Sequence, residues 1–215
     1  MTGLTKTNQI ISYLDELFID PKCELNYNKD YELLLAVMLS AQTTDKRVNK
    51  VTKVLFDKYD SLDKLSKANI YDLQSIIKEI GTFRKKSYNI KEISNKLLID
   101  KKGIVPNDRI YLETLPGVGR KTVNVVLANL YNEPLIAVDT HVERVSKRLK
   151  LAKIDDNVLV VEQKLNKKFS KKVLNRLHHQ LVLFGRYYCK AQNPNCENCK
   201  LIDICKYNKL TKKIR

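Results

Sequence analysis

The sequence predicts an all-α protein. Apolar residues recur at helical spacing in one segment after another. No run alternates apolar and polar residues as a half-buried strand would, and no Asn-Gly type turn joins two such runs. Strand content should therefore be near zero. Ile10, Ile11, Leu14, Leu17 and Phe18 fall on one face of a first helix. Residues 31–39, YELLLAVML, are apolar all round, which suits a fully buried helix. Val48, Val51 and Leu55 mark a third, with Thr43, Thr44 and Asp45 as capping candidates. Leu73, Ile76, Ile77 and Ile80 mark another, which Gly81 is placed to end. Ile90, Ile93 and Leu97 mark the next, and Gly103 and Pro106 break the pattern. A short helix is expected around 108–114 and a longer one from about 119 to 131. After Pro134 and a short apolar stretch, helices are expected near 140–149, 158–168 and 173–187. A cysteine loop and a basic tail complete the chain.

The 215 residues suit one large domain or two small ones. No low-complexity linker or repeat is visible, so two domains would have to be compact. The 43% hydrophobic and 30% charged content is ordinary for a globular protein. The charge balance is not: 40 Lys and Arg face 24 Asp and Glu, a net charge of +16 and a pI near 9.6. A polyanion is the natural partner, and nucleic acid comes before membrane because no long basic amphipathic helix or lipidation signal stands out. A Lys-, Ile- and Asn-rich genome would leave the same excess, so charge supports this reading without making it. No run of 18 apolar residues exists to span a bilayer. The start, Met1 to Lys6, lacks the apolar stretch of a secretory signal, so a cytoplasmic protein is expected.

In a reducing compartment, clustered cysteines point to metal rather than disulfides. Cys23 stands alone, whereas Cys189, Cys196, Cys199 and Cys205 crowd into 17 residues, spaced C-x6-C-x2-C-x5-C. Soft thiolates select zinc or an iron–sulfur cluster. Structural zinc usually shows two C-x2-C knuckles, and only one occurs here. The wide gaps favour a bulkier cluster; zinc, or four unrelated core cysteines, are the other readings.

Leu115-Pro116-Gly117-Val118-Gly119-Arg120-Lys121 lies between two helical patterns, within about 108–131. Two glycines one residue apart allow a tight turn that leaves N–H groups pointing outward at a helix start. That arrangement binds phosphate without reading sequence. Lys121 falls in the first turn of the following helix, where the dipole and Arg120 disfavour the ammonium form. A neutral amine can form a Schiff base, although taken alone Lys121 reads better as a phosphate contact. Asp139 shifts the balance. It is placed to cap the helix beginning near Thr140, and a carboxylate held there can offset positive charge developing at a deoxyribose C1′.

With these motifs in view, the chain resembles the endonuclease III family of DNA glycosylase/lyases. The match includes ELLLAVMLSAQTTD at 32–45, LPGVGRKTVNVVL at 115–127, AVDTHVERVSKRL at 137–149 and the whole cysteine loop. The resemblance implies a two-domain helix-hairpin-helix fold. One domain is a six-helix bundle over about 24–133; the other joins 1–23 to 134–215 and holds a [4Fe–4S] cluster on Cys189, Cys196, Cys199 and Cys205. It implies Lys121 as nucleophile and Asp139 as catalytic carboxylate. It further implies excision of oxidised or ring-saturated pyrimidines from duplex DNA by a monomer, with β-elimination at the abasic site. Flipping the damaged base out of the stack is part of that chemistry.

DNA contacts are implied for Gln42, which matches the residue that fills the gap left by a flipped base. They are also implied for Gly117, Gly119 and Arg120 in the hairpin and for Lys190, with Lys200, in the cysteine loop. His141 matches the family's D-T-H; structural hydrogen bonding is its first reading and a DNA or pocket contact its second. His178 and His179 read as structural. One departure stands out. After Ile80-Gly81 the family commonly places a wedging Leu, and here Thr82 occupies the position, followed by Phe83 where Tyr is frequent. The wedge role is open between Thr82, Phe83 and Arg84. The rival readings are a monofunctional adenine glycosylase of the same superfamily, which lacks a lysine matching Lys121, and a non-catalytic iron–sulfur DNA-binding module.

Overall fold

The computed structural model describes residues 5–207. Among them are eleven α-helices and no strand. They divide into two compact units, one drawn from Met1–Lys22 and Asn132–Arg215 and the other being Cys23–Tyr131.

The unit Cys23–Tyr131 holds α2 (Asp30–Leu39), α3 (Asp45–Lys58), α4 (Leu62–Lys67), α5 (Ile70–Ile76), α6 (Phe83–Lys101), α7 (Arg109–Glu113) and α8 (Arg120–Tyr131). Helix α2 is its axis: every residue from Tyr31 to Leu39 is buried, and α3, α6 and α8 pack around it. Its start is held by Glu32, whose Oε2 accepts from the amides of Asn28 (2.7 Å) and Lys29 (3.3 Å), satisfying donors that a helix leaves orphaned. Asp30 Oδ2 accepts from the Val105 amide at 2.7 Å and ties in the segment before α7.

Two expectations change here. Helix α5 ends at Ile76 with Ile77 as C-cap, so Gly81 does not terminate it. Ile77 and Ile80 are nevertheless buried, because the turn that follows packs inward as a helix would. Thr44 sits at the N-cap of α3 but makes no side-chain cap bond.

The other unit holds α1 (Lys6–Leu17), α9 (Thr140–Arg148), α10 (Val158–Lys168) and α11 (Lys171–Leu183). Ile10 and Leu14 of α1, Val142 and Val145 of α9, Leu165 of α10, and Leu177, Leu181 and Phe184 share one core. Burying each such side chain contributes about 1.5–3 kcal/mol. Asn157 and Ser170 cap α10 and α11. The last helix stops short of 187: at Phe184 it loosens into a π-helical turn, Phe184–Tyr188, that delivers Cys189.

Candidate active site and cysteine loop

In the unit Cys23–Tyr131, Asp108 starts the hairpin by accepting the Tyr111 amide at 3.0 Å. Leu115 and Val118 point into the core, and the Val118 amide bonds the Leu115 carbonyl at 3.1 Å. Gly117 lies at φ +78°, and a Cβ there would stand 2.4 Å from Asn89 Nδ2. The left-handed φ favours glycine there, and any side chain would have to displace the Asn89 amide. Gly119 differs. Its φ is not left-handed, and a Cβ on it would meet nothing within 4 Å. One glycine makes the turn; the other leaves an open edge. The Gly119 carbonyl accepts the Val123 amide at 3.0 Å and so opens α8. Arg120 and Lys121 follow, both exposed in the first turn. Arg109 fastens α7 to α8, giving Nη2 to Asn124 Oδ1 (2.7 Å) and Nη1 to Glu113 (3.1 Å).

Two further turns in this unit meet each other. Gln42 (φ 60°) and Thr82 (φ 56°) are both left-handed and exposed, and a Cβ on Gly81 would stand 3.9 Å from the Gln42 carbonyl. Phe83 is half-buried, with the Arg84 guanidinium 5.0 Å from its ring centre. Of the three wedge candidates, Phe83 is thus partly occupied by packing.

In the other unit, buried Ile136, Ala137 and Val138 lead to Asp139, the N-cap of α9. Its Oδ1 accepts from the amides of His141 (2.9 Å) and Val142 (2.8 Å), and Oδ2 takes no part in this cap. His141 Nδ1 lies 3.2 Å from Arg144 Nη2. A guanidinium only donates, so Nδ1 accepts and the neutral ring carries its proton on Nε2. Burial pushes the His141 pKa below the usual histidine value; Asp139 opposes this, and Arg144 and Arg186 reinforce it. Arg144 also donates to the carbonyls of Gly185 (2.6 Å) and Cys189 (3.2 Å). A Cβ on Gly185 would come 2.8 Å from His141 Cβ, so the π-helical turn packs directly against the start of α9. His178 and His179 are buried within α11, their rings 5.0 Å apart.

The cysteine loop is a series of tight turns. The Cys189 amide bonds the Phe184 carbonyl (2.7 Å), Cys199 bonds Cys196 (3.3 Å), and Cys205 bonds Ile202 (3.2 Å). Cys189, Cys196, Cys199 and Cys205 form no disulfide. Burial pushes the Cys196 and Cys199 thiols up, and neighbouring thiolates add to the shift, which marks them as sharing one neighbourhood. Arg148 Nη1 lies 3.3 Å from Cys189 Sγ, a cation suited to compensate thiolate charge, and also bonds the Lys190 carbonyl at 2.6 Å. Four soft thiol donors in partly buried turns beside a guanidinium are the donor chemistry that a thiolate-bound cluster needs. Among the described residues no group of three or more His, Cys, Asp or Glu is gathered closely enough to hold a metal ion. Lys190 is exposed. Lys200, the other phosphate contact expected in this loop, pairs with Glu16 of α1 at 2.5 Å. Residues 184 positions apart in sequence make that pair, so no local pattern could reveal it.

Residues 35–171 match the HhH-GPD superfamily of base excision DNA repair proteins. The chain is 45% identical over 206 residues to endonuclease III of Bacillus subtilis, covering 96% of this chain and 94% of that protein. It is 42% identical over 202 residues to the Escherichia coli K12 enzyme, covering 94% and 95%. Among solved structures, a trapped endonuclease III–DNA covalent intermediate matches with a TM-score of 0.90 at 46% identity, over 99% of this chain and all of that one. A thermostable thymine-DNA glycosylase shares the fold at a TM-score of 0.81 and 22% identity, covering 95% and 97%. With its hairpin, its capped carboxylate and relatives matched over nearly their whole length, the chain belongs to the HhH-GPD superfamily and, within it, to the endonuclease III family.

Proposed function

We infer that this protein is a bifunctional DNA N-glycosylase and abasic-site lyase that excises oxidised or ring-saturated pyrimidines from duplex DNA. The observation that carries the reading is Lys121, exposed in the first turn of α8 beside the open edge at Gly119. A 46%-identical relative trapped as a covalent intermediate with DNA supports it. The Lys121 amine attacks C1′ of a flipped nucleotide, and the glycosidic bond breaks with its electron pair leaving on the base, which takes up a proton. The sugar ring then opens: the nitrogen lone pair forms the imine as the C1′–O4′ bond breaks and O4′ takes up a proton, and this imine acidifies C2′–H. Loss of that proton expels the 3′ phosphate, and water then releases the enzyme.

Asp139 keeps Oδ2 outside its helix cap, so a fixed negative charge is available as C1′ becomes positive. The hairpin amides, Arg120, Lys190 and the net charge of +16 hold the DNA backbone. Gln42, Thr82 and Phe83 fill the space the flipped base leaves, and His141 orients the D-T-H turn beside the substrate. We take the helix-hairpin-helix domain as 24–133 and the cluster domain as 1–23 with 134–215. Cys189, Cys196, Cys199 and Cys205 would hold a [4Fe–4S] cluster, which supplies a rigid cross-link to the loop and takes no part in the bond changes. A monomer in the cytoplasm, acting on duplex DNA, completes the reading. Borohydride trapping on a thymine-glycol duplex tests it: wild type should form a covalent adduct, and Lys121→Ala should form none.

A further inference from the structure

Lys86 lies one turn into α6, is only 6% exposed, and spends its ammonium on backbone. Nζ donates to the carbonyl of Leu39 at 2.9 Å and to that of Ala41 at 2.7 Å. Burial lowers its pKa, and no carboxylate offsets this. An isolated buried cation is unfavourable. What compensates it here is the carbonyl end of α2, where the last groups of the helix lack partners and the dipole is negative. An apolar side chain would have packed at that point without the desolvation penalty, so the position is explained by the carbonyls it gathers.

Those carbonyls belong to the turn that presents Gln42. The backbone amide of Lys86 meanwhile bonds the Thr82 carbonyl at 3.1 Å. One residue therefore grips both left-handed turns, Gln42 with its side chain and Thr82 with its backbone, and the turns already meet where Gly81 faces the Gln42 carbonyl. We propose that Lys86 is a positioning residue that locks the Gln42 turn to the Thr82–Phe83 turn, so that the two enter a damaged duplex as one preassembled probe. The functional half of this rests on reading Gln42 and Thr82–Phe83 as DNA contacts; the mechanical half does not.

Lys86→Met keeps the stem and removes the cation. Amide hydrogen exchange reads the coupling without DNA. Thr43 and residue 86 donate the bonds that close the two turns. Their protection should fall together in Lys86→Met by about tenfold or more, the scale of one lost charge-assisted hydrogen bond, while amides in α8 and α11 stay unchanged. Loosening of one turn alone, or of neither, overturns the proposal. Single-turnover assays read the function. Excision of thymine glycol from duplex should slow about tenfold or more, while borohydride trapping at an abasic site in single-stranded DNA, where no stack must be opened, should stay within about threefold. Equal loss on both substrates overturns the positioning role. Coupled loosening with undiminished duplex excision would leave the lock intact and sink the reading of the turns as DNA contacts. Should Lys86→Met fail to fold, Lys86→Gln takes its place: its shorter, uncharged amide loses the charge-assisted bonds, so both amides should again lose protection together, and loosening of one alone overturns the proposal. In the wild type itself the two amides must share one opening rate, and separate rates overturn the lock.

Discussion

Gly117 and Gly119 stand one residue apart and should respond to substitution in opposite ways. In Gly119→Ser the new Cβ meets nothing within 4 Å and the backbone is not left-handed. Gly119 is also where α8 begins, a position at which Ser caps slightly better than Gly, by a few tenths of a kcal/mol. The variant should therefore be as stable as wild type or marginally more so. Its side chain nevertheless stands on the open edge where a phosphate would approach the helix start. Losing one amide–phosphate bond there should weaken binding by about 1.5–3 kcal/mol, roughly 10- to 100-fold.

In Gly117→Ala the left-handed φ of +78° costs about 1 kcal/mol. The approach of 2.4 Å to Asn89 adds an overpacking term of about 1–3 kcal/mol. A loss of about 2–4 kcal/mol in unfolding free energy should follow. Urea titration gives the stabilities, and fluorescence anisotropy on undamaged duplex at fixed salt gives the affinities. If Gly119→Ser binds DNA as wild type does, the outer edge of the hairpin does not face phosphate, and the reasoning fails at its root.

Replacing Asp139 by Asn should slow base excision by about two to three orders of magnitude while changing stability by less than about 0.5 kcal/mol, since Asn can cap α9. Single-turnover excision that stays within about threefold of wild type in the folded variant would remove Asp139 from the site. Protein purified without added metal should be yellow-brown and contain about four iron per chain; colourless protein with one zinc would assign the loop otherwise. Burial lowers the pKa of His179. The unfolded imidazole takes up a proton near pH 6.5 and the folded one only below that. Its stabilisation is thus complete above about pH 6.5 and lost as pH falls through the lowered folded value. The urea midpoint should be lower at pH 5.5 than at pH 7.5, with the difference reduced in His179→Gln; an equal drop in both proteins would exclude His179 as the source.

What the sequence makes legible is set by the range of the interactions involved. Helix α2 reads clearly because nine consecutive residues, Tyr31–Leu39, are buried. The Asp139 cap reads clearly because its partners lie two and three residues away. Helix α4 escapes because six residues with two buried positions, Leu62 and Leu65, make too short a period to notice. The overlong reading of α5 comes from Ile77 and Ile80, which keep helical spacing inside a turn. Lys86 follows Arg84 and Lys85 and looks like solvated charge; only the tertiary fold brings the carbonyl of Ala41, 45 residues away, against it. The Lys200–Glu16 pair is hidden for the same reason, its two residues being 184 positions apart.

The division of the chain has a consequence for how the protein is made. Cys23–Tyr131 is continuous, so it can fold as soon as it has left the ribosome. The other unit is built from both sides of it. Helix α1 is synthesised first, yet its apolar face waits for α9 and α11. Its closing bonds wait longer: Tyr13 Oη to the Asn198 carbonyl at 3.2 Å, and Glu16 to Lys200. At translation rates of about 5–20 residues per second, α1 stays without its partners for roughly 10–40 s. Over that interval the growing chain carries a finished hairpin unit and an unpaired amphipathic helix, the stage at which a chaperone would find it.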